Sequence, residues 1–451
     1  MRNLLACLAL LGAGACASAA TQGPSAAAAS ATLAITGVTV VDVAGGPSRP
    51  DQTVLIDGSR IVSVAPAGAV RVPAGARVVN GAGKWLIPGL WDMHTHVTDG
   101  RSALDLNVAN GVTGVRDMGA VRFATARAWR DSIAAGQMLG PRMRIATPVV
   151  ERADWLEWVR RINPGAHWIA ERFGPASPED AVRWVDSIAA LGPDHVKVRN
   201  WPDTAISRAL VTRAAHHGLR VFAHANEPFP RSGVGSYEHS IFSPLEVSAA
   251  ARDSLWRRWA ASGAAVVPTL VTWGERLQPL DSLIAKIDPA RNPMYRYASA
   301  AQLQEWRNEY ATRVHESPFD WTSAYQAAVD NVREMRAAGV AIMPGSDGGL
   351  PTVFPGFGLH DELVALVELA GMTPLEALQA ATLRPARFLG LGDSLGTVQA
   401  GRLADLVLLD ADPLADIRNT RRIQAVFLDG RYLDRAALDA LLARTEAMAR
   451  Q

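Results

Sequence analysis

The spacing of apolar residues changes twice along the chain. Over residues 33–79, short apolar runs alternate with polar positions: Leu33, Ile35, Val38 and Val40, then Val54 to Ile56, then Ile61 and Val62, then Val78 and Val79. Asp57-Gly58 between two such runs signals a hairpin, because a tight hairpin turn needs residues that tolerate positive φ. This predicts a small antiparallel β-module that cannot close a large core alone. From residue 86 the rhythm becomes strands separated by helix-length amphipathic runs. The strand candidates are 86–96, 112–118, 143–150, 195–200, 219–226, 236–240, 264–272 and 340–347. Helical runs such as 178–191, 205–217 and 321–338 lie between several of them. Such alternation argues for an α/β fold, a parallel (β/α)8 TIM barrel. A doubly wound open sheet is the alternative, but it would not gather residues from so many strands at one mouth.

After the barrel, 360–369 and 373–389 read as helices, the second opening on Thr373-Pro374, an N-cap with proline in the first turn. Residues 396–433 are β-rich again, with a turn at Asp429-Gly430, and 436–450 is helical. The early and late modules together would complete one small β-sandwich. The expected domains are an N-terminal sandwich segment at 33–85, the barrel at 86–389, a C-terminal sandwich segment at 390–435 and a last helix at 436–451.

Composition changes the picture in three places. A chain of 451 residues can bury a large core. Its 45 basic and 44 acidic residues nearly cancel and no basic block stands out, so nucleic acid is not an expected partner. Beyond the N-terminus no apolar stretch is long enough for a membrane span. Residues 1–19 read as a signal peptide: Arg2, an apolar run over 4–15, then Ala17-Ser18-Ala19 as a small-residue cleavage site. Residues 20–32 read as a disordered linker. The expectation is a secreted or periplasmic protein. Cys16 offers the alternative of a lipid-anchored N-terminus, which Ala13-Gly14-Ala15 fit only in part. Both cysteines, Cys7 and Cys16, lie in this segment, so no disulfide framework, thiolate site or cysteine nucleophile is expected after processing. Metal ligands must then be His, Asp, Glu or something derived from Lys.

The candidate chemistry starts at His94-Thr95-His96, at the end of the first expected barrel strand. Residues two apart on a strand share a face about 7 Å apart, within reach of one metal ion. Lys197 lies between Val196 and Val198 on the fourth strand, facing the other way from both. It reads either as a lysine snorkelling to water or as a lysine carboxylated by CO2. His224 and His239 stand near the ends of the fifth and sixth strands. Asp347 closes the eighth; before Gly348-Gly349 it also suits a turn. Strand C-termini are where catalytic groups of a TIM barrel gather.

The stretch 85–99, with Pro88-Gly89-Leu90, Asp92 and the two histidines, resembles the first barrel strand of the amidohydrolase superfamily. His94, His96, Lys197, His224, His239 and Asp347 match, in order and by strand, the ligand set of its binuclear members. Segments 356–363, 371–382, 385–389 and 401–410 resemble the imidazolonepropionase-like branch, which includes Xaa-Pro-type dipeptidases. The resemblance implies two divalent metal ions bridged by carboxylated Lys197. It implies hydrolysis of a C–N bond, in an amide or dipeptide-like small molecule, by a metal-bridging hydroxide. Asp347 would be the general base and then acid. Imidazoles with a carboxylate and no thiolate suit zinc; manganese, iron and cobalt stay open. A cyclic-amide (imidazolone or lactam-type) hydrolase and a non-catalytic envelope binding protein are the alternatives. Secretion disfavours imidazolonepropionase itself, a cytosolic catabolic enzyme. A homo-oligomer stays open.

Other residues carry weaker signals. Arg199 lies past Lys197 on the same side and suits either a substrate carboxylate or an ion pair with a neighbouring Asp. Trp155, Trp158, Trp201 and Trp273 follow expected strands, which suggests an aromatic pocket for a bulky substrate, although Trp155 and Trp158 are also at helical spacing. His360 reads as a cap or supporting partner more than a substrate contact, and His195 as a buried hydrogen-bonding group. His167, His216, His217 and His315 receive no role.

Overall fold

The structure is a computed structural model that describes residues 30–98, 100–119, 122–166, 169–225, 233–240, 248–275, 277, 280–313 and 320–451. The expected signal peptide, most of the expected linker, His167 and His315 lie outside the described residues.

The strands in chain order begin with β1 (Leu33–Val40), β2 (Arg49–Asp57), β3 (Arg60–Pro66), β4 (Arg77–Asn80) and β5 (Trp85–Pro88). Next come β6 (Leu90–Thr95), β7 (Val112–Asp117), β8 (Arg142–Ile145), β9 (Val149–Val150) and β10 (Arg172–Phe173). Then follow β11 (His195–Val198), β12 (Arg220–His224), β13 (Val234–Glu238), β14 (Ala265–Val267) and β15 (Ala341–Ile342). The last are β16 (Leu406–Leu409), β17 (Ile423–Leu428) and β18 (Arg431–Asp434).

The early and late strands share one eight-stranded sheet, ordered β18-β17-β16-β5-β1-β2-β3, with β4 also on β1. Its side chains alternate between two cores, as the period of two requires. Leu33, Ile35, Leu86, Leu406, Leu408 and Phe427 line the small internal core. Ile87, Val407, Leu409 and Val426 point the other way, into a cluster with Leu359, Leu363, Leu378 and Leu438. The turn Asp429-Gly430 has φ 52° and 77°, the left-handed pair a two-residue hairpin needs.

The middle strands form two parallel sheets, β6-β7-β8 and β10-β9-β11-β12-β13-β14-β15. Backbone hydrogen bonds join them on both sides. Asp194 N donates to Ile145 O and Thr147 N to His195 O, each at 2.9 Å. On the other side Met93 N donates to Pro344 O at 2.9 Å, Asp347 N to His94 O at 2.7 Å and His96 N to Gly348 O at 2.8 Å. Val196, Val198, Val221, Ala223 and Val266 turn outward onto Leu210, Trp256, Val332 and Met335 of the surrounding helices. Their alternates, including His195 and Lys197, turn inward.

Every expected barrel strand is present, most of them shorter than read. Expected strand 86–96 is two strands. Pro88 has no N–H to give, and the chain passes from β5 in the outer sheet to β6 in the inner one at Gly89. A Cβ at Gly89 would lie 2.0 Å from Thr113 Oγ1, so any other residue at this crossing requires the Thr113 side chain or the strand to shift. Expected strand 143–150 divides into β8 and β9, and 264–272 ends at Val267 before a helix at Leu270–Glu275. The helices at Pro178–Ala189, Thr204–His216 and Trp321–Ala337 carry side-chain N-caps from Ser177, Asp203 and Asp320. Expected helix 373–389 is two helices, Pro374–Ala381 and Leu383–Phe388, and Thr373 with Glu376 forms a capping box. Helices Leu280–Lys286 and Ala300–Arg313 were not expected; with the turn Pro293–Tyr297 they pack Tyr295, Trp306 and Tyr310 around Phe354. Among the described residues no helix is long and apolar enough to cross a membrane.

Candidate metal centre

The inward ends of the parallel strands converge on one buried group. Ligand atoms of His94, His239 and Asp347 all lie within 4.8 Å of one another. The His94 and His239 rings are 4.4 Å apart, His224 is 4.6 Å from His239, and His96 is 5.4 Å from His94. Asp347 Oδ1 is 3.4 Å from His94 Nε2 and 3.1 Å from His96 Nε2. His239 Nδ1 is 3.8 Å from Asp347 Oδ2 and hydrogen-bonds Thr269 Oγ1 at 2.6 Å. Lys197 is buried beside them, its pKa pulled down to about 8 by burial against the opposing pull of Glu238 and Asp347.

Two of the three grouped residues carry backbone strain: His239 has φ 65° and Asp347 has φ 58°. Three hydrogen bonds hold the Asp347 turn. Asp347 N donates to His94 O at 2.7 Å, Ser346 N to Asp92 Oδ1 at 3.0 Å and Gly348 N to Ser346 Oγ at 2.9 Å. Left-handed non-glycine residues persist where the surroundings over-determine them, as at ligand sites.

The donor set fits a cation. Among the described residues, His94 Nε2, His96 Nδ1, Lys197 Nζ and Asp347 Oδ1 are buried with no hydrogen-bond partner. Buried polar atoms are normally paired, and a group of imidazole and carboxylate donors left unsatisfied together is one a divalent metal would complete. Burial pushes the pKa of His94 down to about 4, with Lys197 adding to the effect. Burial also drives His224 and His239 well below the ordinary imidazole value, so all three rings are neutral donors near pH 7. Burial alone would raise Asp347, but the facing His239, His94 and His96 hold it below the usual carboxylate range.

The expected metal residues therefore come together, whereas the expected substrate residues do not. Trp201 is 1% exposed inside the apolar core, and its Nε1 donates to His224 O at 3.0 Å, so it supports a strand end rather than facing the mouth. His360 is buried elsewhere, bonded through Nδ1 to Thr420 Oγ1 at 2.9 Å and through Nε2 to Asn110 O at 3.0 Å. That agrees with the supporting role and not with substrate contact. Arg199 pairs with Glu151 at 3.3 Å, a glutamate rather than the expected aspartate, and lies 4.8 Å over the Trp155 ring. Trp158 is 46% exposed. Trp273 does reach the centre, 5.8 Å edge-on to His239 and stacked on Trp321.

Four further polar residues stand at the centre to which the sequence reading gives no role, although Asp92 and Glu362 lie in stretches that carry the resemblance. Asp92 accepts from Ser346 and from His94 N, and burial pushes its pKa up to about 6. Glu362 is buried with one oxygen on Val271 N at 2.8 Å, and burial pushes it up to about 8. Glu238 and Arg116 form a fully buried pair at 2.8 Å beside His94. A charged residue inside a strand reads as solvent-facing until the sheets are brought together.

Residues 85–433 match the Amidohydrolase family. An adenine deaminase from Rubrobacter xylanophilus is 24% identical over 413 residues, 88% of this chain; the chain spans 56% of that relative's length. An imidazolonepropionase from Pseudomonas paraeruginosa is 25% identical over 384 residues, 81% of this chain and 89% of the relative. Among solved structures, a candidate prolidase from Bifidobacterium longum superposes with a TM-score of 0.70 at 26% identity, covering 92% of this chain and 98% of that one.

Proposed function

The chain belongs to the amidohydrolase family, and on that premise we propose that it is a metal-dependent hydrolase of a C–N bond in an amide or dipeptide-like small molecule. The observation that carries the reading is the buried His94, His239 and Asp347 group with its unsatisfied donor atoms. The scaffold is read as a closed (β/α)8 barrel at 86–389, supported by the backbone bonds on both sides of the inner sheets. The small β-domain is read as 33–85 with 390–435, followed by the C-terminal helix. His94, His96, Lys197, His224, His239 and Asp347 would hold two divalent ions, for which zinc suits the donors. When bound, the metal supplies Lewis acidity toward the substrate carbonyl and acidifies the attacking water. Lys197 would react with CO2, its amine nitrogen bonding to carbon with loss of a proton, to give an anionic carbamate. Asp347 takes the proton of the attacking water at a carboxylate oxygen and returns it to the leaving nitrogen. Trp273, edge-on to His239, supplies an apolar wall that favours bulky side chains.

The candidate prolidase supports the dipeptide-like substrate. The imidazolonepropionase supports a second reading, a cyclic amide. The converging unsatisfied donors argue against a non-catalytic binding protein. Export through residues 1–19, with a lipid anchor at Cys16 as the alternative, is included in the proposal.

The test is a screen of dipeptides, N-acyl amino acids and lactams with the zinc-loaded protein, with Asp347→Asn as the blank. Turnover is expected for the wild type, at least about 100-fold less for the blank and none after chelation, with about two metals per chain by elemental analysis. One metal with unmodified Lys197 would leave a mononuclear enzyme. Absence of turnover in all three substrate classes would overturn the reading.

A further inference from the structure

We infer that Glu238, anchored by Arg116, is a positioning residue for the metal centre: it fixes the His94 ring so that Nε2 alone is offered to a cation. This rests on the metal-dependent reading above.

His94 has two ring nitrogens, and in a buried neutral ring one donates while the other accepts. Its Nδ1 lies 2.7 Å from Glu238 Oε2 and its Nε2 faces Asp347 Oδ1 at 3.4 Å. An ionised carboxylate only accepts, so Nδ1 carries the proton and Nε2 presents its lone pair. The backbone of His94 is held as well, its N–H on Asp92 Oδ1 at 3.2 Å. Glu238 is immobilised in turn. Arg116 Nη2 donates to Oε1 at 2.8 Å and to Oε2 at 3.0 Å, and Ser236 Oγ donates to Oε1. Arg116 is tied down by Nε on Met93 O at 2.6 Å and Nη1 on Ser236 Oγ at 2.8 Å, with its carbon 4.4 Å over the Phe222 ring. His94, Arg116 and Glu238 are each 0% exposed.

Consecutive residues of a strand face opposite ways, yet Glu238 and His239 both touch His94. The left-handed φ of 65° at His239, the first residue past β13, turns it back to the centre. The strained turn thus lets β13 deliver a metal-competent ring and the brace for another ring from adjacent positions. A fully buried ion pair is a weak source of stability, since apolar residues of like volume pack as well or better. A pair that ends on a ligand nitrogen does something an apolar pair cannot. Outer partners of this kind are worth about 10–100-fold in metal affinity.

The experiment compares apo wild type with Arg116→Met/Glu238→Leu, Arg116→Met/Glu238→Gln and Glu238→Asp. It reads zinc affinity by chelator competition, apo thermal midpoint and the His94 tautomer by 15N NMR. The apolar double variant is expected to keep or raise the apo midpoint, to bind zinc about 10–100-fold more weakly and to lose the single Nδ1–H tautomer. The Gln version restores an acceptor for Nδ1–H and should recover most of the affinity. If the apolar pair does not fold, Glu238→Asp decides. It keeps the charge opposite Arg116 but falls one methylene short of Nδ1, and should weaken zinc by about tenfold or more. Unchanged zinc affinity with only a lowered midpoint would make the pair structural and overturn the inference. A wild type that binds no zinc would instead overturn the metal reading. The tautomer of apo His94 would then decide the role of Glu238.

Discussion

Asp347 combines a charge and a strained backbone, and the two can be separated. At φ 58° asparagine is tolerated about as well as aspartate, whereas most side chains are not. Asp347→Asn should therefore keep its fold, with a thermal midpoint close to wild type, while kcat falls about 10²–10⁴-fold through loss of the proton acceptor. Circular dichroism melting beside steady-state kinetics checks both halves. His360 is a different case, a buried neutral histidine far from the chemistry. Burial, with Arg421 adding to it, pushes its pKa from 6.5 down to about 4. The unfolded chain then binds the extra proton first, so stability is intact above pH 6.5 and drains away as pH falls toward 4. The expected loss is on the order of 3 kcal/mol across that window. Urea unfolding of His360→Gln at several pH values should show a flatter acid limb than wild type. At this scale His94, His96 and His224 were visible as candidates because each sits at or just past the end of an apolar strand, whereas His239 and Asp347 stand on turns beyond theirs. Glu238 and Arg116 were not visible, because their pairing crosses 122 positions of sequence. Trp201 was misread because a loop position does not reveal which way an indole turns.

At the scale of elements, the hand-over from β5 to β6 is the place to press. Gly89→Ala would set a methyl 2.0 Å from Thr113 Oγ1, so strand or side chain must yield. A cost of roughly 1–3 kcal/mol is expected, largely relieved by adding Thr113→Gly, as read from denaturant midpoints at constant m. Thr373→Ala removes one half of a capping box and should cost about 1 kcal/mol without touching activity. Strand existence and order were readable from periodicity, since parallel strands buried on both faces are nearly continuous apolar runs. Their ends were not. The C-terminal residues of the expected strands leave the ladder to form the turns that carry His239, Thr269 and Asp347, and positive φ at those positions leaves no mark in hydropathy. The helices at Leu280–Lys286 and Ala300–Arg313 share one small cluster, to which they give Leu283, Leu303, Trp306 and Tyr310, so no strong stripe announced them.

At the scale of the molecule, a cation held by the six proposed donors would act on the whole fold, because those residues come from strands on both sheets and from the turn after β15. Zinc at about 100 times its Kd should add roughly 2.7 kcal/mol to the unfolding free energy, and a chelator should remove it. Differential scanning fluorimetry across a zinc titration checks this. A midpoint indifferent to metal would show that the cluster does not take it up. That the two β-rich stretches belong together was expected from their patterns and turns, as the halves of a small sandwich; they share one eight-stranded sheet. That a single unbroken ladder joins both ends through β5 was not, because nothing in the pattern of 85–96 marks where one strand ends and its successor begins.

That ladder sets an order of events. Leu86 pairs with Leu408, so β5 waits for β16 until the 322 residues that follow Leu86 up to Leu408 have left the ribosome. Until then its free edge offers unpaired amide and carbonyl groups to any passing extended segment. A message truncated anywhere between these positions would therefore not yield a smaller working enzyme but a sticky one. Nascent chains would need escort for as long as the gap stays open.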